Sequence, residues 1–341
     1  MTGPLCPIPI SDYPHVLLAH GGGGRLMRDL LKKVFGALFP ESGHHDAAFL
    51  HLDSGRVAFT TDAFVVRPRF FPGGSIGSLA VHGTVNDLAA IGARPVALSA
   101  AWILEEGLAM SELWDTAVAM RDAASACGVP IVTGDTKVVE RGAADGLYIQ
   151  TTGVGVLVAE DPLVPERIQP GDAIVLSGDV GRHGVAVMAS REGLESGIVS
   201  DSAPIHAAVV DLLTSGVPVR CVRDITRGGL ATVLNELASE SGTCLAVDET
   251  AIPVDAEVRG FCEILGLDPL CVACEGRFVA IVPPEAADRA VRCLRRHAAS
   301  SEATEVGEVR AQPAGRVTMT SRIGVERILD LLSGEQLPRI C

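Results

Sequence analysis

This chain of 341 residues has few aromatic side chains, no long apolar run, and fewer basic than acidic residues. Aromatic residues make up only 4% of it, so the predicted core consists mainly of Val, Leu, Ile and Ala. No apolar run reaches the roughly 18 residues of a membrane helix, and no basic flank precedes an apolar stretch near Met1. The formal charge of −14 argues against a general nucleic-acid binder and against docking on anionic membranes.

A paired cysteine framework is lacking too. The chain has nine cysteines, an odd number, and most of them lie in apolar surroundings without regular spacing. This pattern indicates a reducing compartment, so we expect a cytoplasmic protein. The one C-x-x-C motif, Cys271 and Cys274, has no second pair and no His-x-His spacing after it, so we expect neither zinc nor redox chemistry there.

The length favours two domains over one. Segment 160–172 contains three prolines and four acidic residues, which predicts a domain boundary. We therefore expect an N-terminal domain over 1–159, a C-terminal domain over 160–320, and a helix followed by a mobile tail over 321–341. Predicted helices follow Gly24 and lie at 77–91, 111–126, 184–192, 203–215, 230–241, 285–299 and 324–332. Predicted strands lie at 47–52, 56–61, 95–102, 129–133, 147–158, 173–177 and 277–282. Their order shows no strict β-α-β alternation and favours two α+β domains.

Four consecutive glycines, Gly21, Gly22, Gly23 and Gly24, precede a helical pattern. Such a loop lets backbone amides converge on a phosphate beside the positive end of a helix dipole. It is not a Walker A loop, because the Gly-Lys-Ser/Thr ending is missing, and Leu26 stands where a dinucleotide fingerprint has its last glycine. A phosphate-binding loop and a mobile loop both fit this pattern.

Carboxylates recur at predicted strand ends and loop junctions, at Asp46, Asp62, Asp87 and Asp135. Mg²⁺ typically takes one or two carboxylates together with substrate phosphates. Each aspartate alone is also typical of a turn or a helix cap. Lys137 follows a predicted strand and could neutralise a transferring phosphoryl group, or it is a solvated loop charge.

The second half has a further candidate anion site. Asp224, Thr226, Arg227, Gly228 and Gly229 stand directly before a predicted helix, where amides and a guanidinium suit phosphate. The loop 178–184 contains Asp179 and His183, and Glu275 precedes a predicted strand. Glu275 fits a general base or a simple turn residue.

Cys341 follows Pro338 on a short segment that the proline biases toward an extended arm. Such an arm could carry a covalently attached group into a pocket, or it is an incidental terminus. It is not a prenylation box, which places its cysteine fourth from the end.

Together these segments resemble the HypE family of hydrogenase maturation proteins, over about 17–341. The family belongs to a superfamily of ATP-using enzymes with aminoimidazole ribonucleotide synthetase, selenophosphate synthetase and thiamine monophosphate kinase. The segments that carry the resemblance are 21–24, 60–62, 83–88, 134–139, 178–179, 224–230 and 337–341. The last of them discriminates, because the relatives outside the family lack it.

The resemblance implies a two-domain α+β PurM-like fold with an N-terminal sheet-plus-helices dimerisation domain, a C-terminal α+β sandwich and a flexible tail. It implies ATP-dependent dehydration of an S-carbamoyl group on Cys341 to an S-thiocyanate, with ATP and Mg²⁺ as cofactors. The implied partners are a HypF-type carbamoyltransferase, which supplies the carbamoyl group, a HypC–HypD complex, which receives cyanide on iron, and a second copy of the chain.

The same resemblance assigns roles to individual residues. Cys341 would carry the group, Lys137 would steady the phosphoryl group or orient the carboxamide, and Glu275 would be the base. The candidate Mg²⁺ ligands are Asp46, Asp62, Asp87 and Asp224. The candidate phosphate contacts are Gly21, Gly22, Gly23, Gly24, Thr226, Arg227, Gly228 and Gly229. The chain departs from the family pattern at Cys271 and Cys274, where tyrosine and asparagine are usual.

Two other functions remain open from the sequence. Selenophosphate synthetase requires a reactive cysteine or selenocysteine in the N-terminal glycine-rich region followed by lysine, whereas here Cys6 lies well before the glycines and Arg25 follows them. A non-catalytic scaffold would use the nucleotide only to switch its affinity for partners. Consumption of one ATP with loss of one water from the tail separates an enzyme from a scaffold.

Overall fold

The structure is a computed structural model that describes residues 24, 25, 28, 48–52 and 55–331. Within these residues the chain forms two large sheets with helices packed against them, one in each half of the sequence, and one two-stranded sheet. None of the helices in this part of the chain has the length and apolar character of a membrane span.

The N-terminal sheet has five strands in the order β1-β2-β7-β5-β6. Neighbouring strands in this sheet pair antiparallel, except that β5 and β6 run parallel. The strands are β1 Ala48–Leu52, β2 Gly55–Phe64, β5 Ala93–Glu105, β6 Ile131–Val139 and β7 Leu147–Leu157. A small hairpin, β3 Phe70–Phe71 with β4 Gly74–Ser75, lies in the chain between β2 and the helix that begins at Ile76.

Two helices, α1 Ile76–Ala90 and α2 Met110–Cys127, cover one face of this sheet. Ser75 starts α1 with a reciprocal capping box to Ser78, and Gly128 ends α2 in the left-handed conformation at φ 66°. The two helices approach closely, because a Cβ on Gly77 would lie 2.3 Å from the carbonyl oxygen of Thr116.

The opposite face of the sheet leaves large apolar side chains exposed among the described residues, namely Phe59, Ile103, Val154 and Val156. The strand alternation explains which side chains these are. On β7, Leu147, Ile149 and Thr151 are buried toward the helices, and every second residue between and beyond them points outward. We call this side of the N-terminal sheet the outward face.

The C-terminal sheet has seven strands in the order β14-β13-β10-β12-β8-β11-β9. The strands are β8 Ala173–Leu176, β9 Cys221–Asp224, β10 Cys244–Asp248, β11 Phe278–Val282, β12 Thr304–Arg310, β13 Arg316–Thr320 and β14 Glu326–Ile328. The helices are α3 Arg182–Arg191, α4 His206–Thr214, α5 Gly229–Ser241, α6 Ala256–Leu265 and α7 Ala287–Leu294. Helix α5 packs on one face, and α4 and α7 pack on the other. Central strands such as β8 are therefore buried on both sides.

One apolar core continues across the domain boundary. Phe64, Ile76 and Leu79 of the N-terminal half share a cluster with Val185 of α3 and Val258 of α6. Burial of this kind stabilises the contact between the two halves. The shared cluster thus fixes how the N-terminal and C-terminal halves face each other, and the candidate site lies where they meet.

Sequence periodicity predicts most of these elements but is wrong about the last one. A helix was expected at 324–332, whereas residues 326–328 form β14, which pairs antiparallel with β13. The turn at Ser321, whose carbonyl and hydroxyl accept from the amides of Gly324 and Val325, closes a hairpin instead of starting a helix. The strands β9, β10, β12 and β13 and the helix α6 were not predicted.

Candidate active site

Three of the predicted site carboxylates converge where the two domains meet. Asp62 lies on β2, Asp224 is the last residue of β9, and Glu275 precedes β11. Glu275 is only 4% exposed. Burial first, and then the negative charges of Asp224, Asp62 and Asp201, raise the pKa of Glu275 well above its usual range, while Arg227 opposes the shift.

Asp62 lies inside β2 and not at a strand end as predicted, because Ala63 and Phe64 continue the strand. Its side chain points toward α1, and a Cβ on Gly83 would lie 3.6 Å from its Oδ2. The backbone amide of Ala63 donates to its Oδ1 at 2.7 Å. Burial raises the pKa of Asp62, and the positive charge of Arg227 partly offsets this.

Asp87 lies inside α1, so the expectation of a loop junction is wrong for this residue as well. Its Oδ2 accepts a hydrogen bond of 2.9 Å from the hydroxyl of Thr60, which lies two residues before Asp62 on β2. The helix α1 and the strand β2 thus present Asp87 and Asp62 on facing elements, and their role as Mg²⁺ ligands stays a prediction.

The predicted phosphate loop of the second half lies at the start of α5. Gly228 is the N-cap with φ 77°, and Gly229 follows with φ 64°, values that favour glycine. A Cβ on Gly229 would lie 2.5 Å from the carbonyl oxygen of Leu270, so glycine is required for packing as well. The loop presents Arg227 at the surface and the N-terminus of a thirteen-residue helix, a combination that suits phosphate.

The backbone of Glu275 is held by groups that sequence reasoning did not single out. Its amide donates to Oδ2 of Asp201 at 3.3 Å, and its carbonyl accepts from Nδ2 of Asn86 at 3.3 Å and from the amide of Ala203 at 3.4 Å. Asn86 lies within segment 83–88, which carries the family resemblance, whereas Asp201 has no local sequence signal, because its role depends on a contact between distant parts of the chain.

Behind Glu275 lies a buried ion network. Nη2 of Arg277 lies 2.6 Å from Oδ1 of Asp179, and Nε of Arg277 lies 3.9 Å from Oδ2 of Asp201. Nε of Arg182 lies 2.6 Å from the other oxygen of Asp179. His183 is fully buried, with Nδ1 2.9 Å from the hydroxyl of Ser200. Asp179 and His183 are thus engaged with protein groups in this structure.

Lys137 is not beside this cluster within one chain. Its side chain is 71% exposed on the edge strand β6 and forms an ion pair of 2.9 Å with Asp135. Strand β6 is three strands from β2, about 14 Å across the sheet. The register also places Lys137 beside Ile103 on the outward face, whereas Asp62 faces the helices. Its predicted role stays a prediction.

Five predicted site residues lie outside the described residues. They are Gly21, Gly22, Gly23, Asp46 and Cys341. Gly24 is buried, and its carbonyl accepts from the amide of Arg28 at 3.2 Å, as at the start of a helix. Arg28 in turn donates to the hydroxyl of Ser239 on α5 at 3.2 Å, so this helical start lies beside the helix that follows Gly228.

The donor set fits a hard divalent ion that is completed by phosphate. Asp62, Asp224 and Glu275 bring three carboxyl groups into one region, and burial is the largest cause of the raised pKa of both Asp62 and Glu275. Among the described residues, no group of three His, Cys, Asp or Glu side chains has the spacing of a complete metal site. Mg²⁺ does not need one, because phosphates and water supply its other ligands.

Cys271 and Cys274, the two positions that depart from the family pattern, are buried thiols. The Sγ of Cys274 accepts a hydrogen bond of 3.2 Å from the amide of Gly181. Burial raises the pKa of Cys271 to about 12 and that of Cys274 well above its usual value. A raised pKa favours the protonated thiol, which is the less nucleophilic form.

Comparison with known proteins shows similarity over nearly the whole chain. Residues 44–157 match the family model "AIR synthase related protein, N-terminal domain", and residues 169–320 match "AIR synthase related protein, C-terminal domain". The chain is 49% identical over 331 residues to carbamoyl dehydratase HypE of Rhizobium leguminosarum bv. viciae, covering 95% of this chain and 94% of the relative.

Two solved structures are similar at the level of the fold and the sequence. One is hydrogenase maturation protein HypE in complex with ATP, at a TM-score of 0.82 and 45% identity, covering 96% of this chain and 100% of the other. The other is a HypE–HypF complex, at a TM-score of 0.84 and 40% identity, covering 89% of this chain and 99% of the other.

Proposed function

The chain belongs to the HypE family of carbamoyl dehydratases, and we propose on this premise that it dehydrates an S-carbamoyl group on Cys341 to an S-thiocyanate at the expense of ATP. The observation that carries this proposal is the buried Glu275 beside Asp62 and Asp224, next to the helix start at Gly228. This arrangement combines a base, candidate metal ligands and a phosphate-binding helix N-terminus.

The proposed reaction removes one water from a carboxamide. The carboxamide oxygen attacks the γ-phosphorus of ATP, the bond from that phosphorus to the bridging oxygen breaks, and ADP leaves. Loss of N–H protons then lets nitrogen form its third bond to carbon while the C–O bond breaks and phosphate leaves. The products are thiocyanate, ADP and phosphate. Activation is necessary because hydroxide is too poor a leaving group at neutral pH.

Glu275 is the proposed acceptor of the N–H protons. A carboxylate with an elevated pKa is a stronger base than a solvated one, which suits an amide-type nitrogen. The phosphates would contact Thr226, Arg227, Gly228 and Gly229, together with Gly21 to Gly24, because amides and a guanidinium stabilise charge on phosphoryl oxygens.

Mg²⁺ is the proposed metal, held by carboxylates among Asp46, Asp62, Asp87 and Asp224. When bound, it would neutralise charge that develops on the phosphoryl oxygens. The similar HypE structure that was solved in complex with ATP supports ATP as the nucleotide that this chain binds. The grouping of Asp62, Asp224 and Glu275, with Asp87 on the helix that faces Asp62, supports the metal.

We propose a HypF-type carbamoyltransferase as the donor of the carbamoyl group, a partnership supported by the similar HypE–HypF complex. A HypC–HypD complex would then receive cyanide on iron. We further propose that two copies of the chain pair through the outward face, because Phe59, Ile103, Val154 and Val156 are exposed there. Lys137 lies on this face and would act from it on the phosphoryl group or the carboxamide.

The reaction is tested by intact-mass analysis of carbamoylated protein in a single turnover with Mg-ATP. We expect the loss of one water and the formation of one ADP per chain. Glu275→Gln should retain ATP binding and slow the loss of water by at least about 100-fold, the lower range for general-base catalysis. A protein that binds ATP without losing water would be a scaffold.

A further inference from the structure

Asn86 forms a polar link between the two domains. It lies on α1, is 2% exposed, and uses its whole carboxamide on residues of the C-terminal half. Its Nδ2 donates to the carbonyl oxygens of Ala203 and Glu275 at 3.1 and 3.3 Å, and its Oδ1 accepts from the amide of Ile205 at 2.9 Å. These partners fix the amide orientation, because a flip would oppose oxygen to oxygen.

The same helix orients the carboxylates of the N-terminal domain. Asp87 is the next residue along α1 and accepts from Thr60 on β2. Gly83 lies one turn earlier, where a Cβ would lie 2.8 Å from the ring of Phe64 and 3.6 Å from Oδ2 of Asp62, so α1 lies directly against both residues. Asn86 therefore links Glu275 to the helix that carries Asp87 and that lies against Asp62.

From the other side, Glu275 has little freedom to compensate for a lost contact. Its amide is bound by Asp201, and its carbonyl also accepts from Ala203. A Cβ on Gly276 would lie 2.1 Å from the carbonyl oxygen of Asp201, so the two backbone segments are in direct contact. The segment 201–205 and Glu275 thus form one unit, which Asn86 attaches to α1.

We propose that Asn86 is a positioning residue that holds Glu275 in register with the carboxylates of the N-terminal domain. The proposal rests on the proposed function, in which Glu275 accepts the N–H protons. A displacement of about 1 Å of a reacting group can cost about 100-fold in rate. Buried hydrogen bonds that served stability alone would not need to converge on the backbone of the base.

The test uses Asn86→Ala in full-length protein with the single-turnover assay. Thr84→Val is the matched control, because Thr84 is a fully buried residue of the same helix, and its hydroxyl lies 2.5 Å from that of Thr151 without reaching the C-terminal domain. Asn86→Asp keeps the side-chain volume and the acceptor for Ile205, and it is used if Asn86→Ala does not fold. Thermal unfolding establishes that each variant is folded at the assay temperature.

We expect Asn86→Ala to slow the loss of water at saturating ATP by about 10- to 100-fold, with ATP affinity changed less than about threefold. Thr84→Val should remain within about threefold of the unmodified protein in both measurements. A rate for Asn86→Ala equal to that of Thr84→Val would overturn the proposal.

A double-mutant cycle separates positioning from general stability. In the Glu275→Gln variant, the residual rate of water loss is measured by intact mass over a long incubation. Adding Asn86→Ala to this variant should change that rate less than about threefold. An equal fold loss in both backgrounds would mean that Asn86 acts only on the fold. The proposed function itself fails separately, if unmodified protein forms no thiocyanate or if Glu275→Gln loses water at the unmodified rate.

Discussion

Replacement of Arg277 by methionine tests how the frame behind the site is stabilised. Arg277 is 6% exposed, and its guanidinium contacts Asp179, approaches Asp201, and donates from Nη1 to the carbonyl oxygen of Ala299 at 2.9 Å. Arg277→Met keeps much of the side-chain length but leaves a buried carboxylate at Asp201 without its nearest cation. Removing one partner of a buried ion pair typically costs about 3–5 kcal/mol.

The lower end of that range applies here. Arg182 remains 2.6 Å from Asp179, so one of the two carboxylates keeps a cation. Asp201 also keeps the backbone amides of His183 and Glu275 as donors. We therefore expect Arg277→Met to lower the free energy of unfolding by about 3 kcal/mol.

The assay is urea denaturation at neutral pH, with the midpoint compared at constant slope. Arg121→Met is the control, because Arg121 pairs with Asp122 at the surface with side chains 69% and 61% exposed. That pair should contribute nothing measurable. Midpoints that agree for Arg277→Met and Arg121→Met would refute the view that the buried network stabilises the region around Glu275.

Three further predictions address packing, protonation and assembly. Gly77→Ala should destabilise by about 1–3 kcal/mol in urea denaturation, because its Cβ would lie 2.3 Å from a backbone carbonyl of α2. Gly260→Ala on α6 meets nothing within 4 Å and should stabilise, so equal midpoints would contradict the packing argument. Burial and a neighbouring histidine lower the pKa of His82 from 6.5 to about 4, so the folded protein binds fewer protons in this window. The contribution of His82 to stability should therefore fall by up to about 3 kcal/mol as pH drops from 6.5 toward 4, and His82→Asn should remove this contribution from the pH dependence; an unchanged slope would count against the buried histidine. Val154→Asp on the outward face should convert a dimer to a monomer in analytical ultracentrifugation, whereas Ile264→Asp, at a site 85% exposed on α6, should not.

Sequence patterns predict elements well where a local signal exists. Helix α2 was expected at 111–126 and spans Met110–Cys127, because its apolar positions recur at helical spacing and Gly128 ends it. The buried strand β8 was predicted from its continuous apolar run, whereas β9 is short and includes Arg223 and Asp224, so it has neither an apolar run nor alternation and was missed. The segment 324–332 contains good helix formers, but its pairing with β13 overrides this preference.

The site residues also differ in whether the sequence carries a local signal for them. Asp62, Asp224 and Glu275 were found by residue type and family resemblance, and the structure brings them together. Asn86 and Asp201 act through backbone groups of distant segments, so no spacing along the chain reveals them. Lys137 shows the converse, because its position on the outward face separates it from the cluster within one chain.

The central claim is that a thiol-bound carboxamide on Cys341 loses its oxygen to phosphate. Protein that a HypF-type carbamoyltransferase has carbamoylated on Cys341 with an ¹⁸O-labelled carboxamide oxygen, freed of carbamoyl phosphate and then incubated with unlabelled Mg-ATP, tests this directly. We predict one ¹⁸O in the released phosphate and a peptide ending in Cys341 that is lighter by the labelled water. Unlabelled phosphate, or a Cys341→Ala protein that forms the same products, would contradict the account.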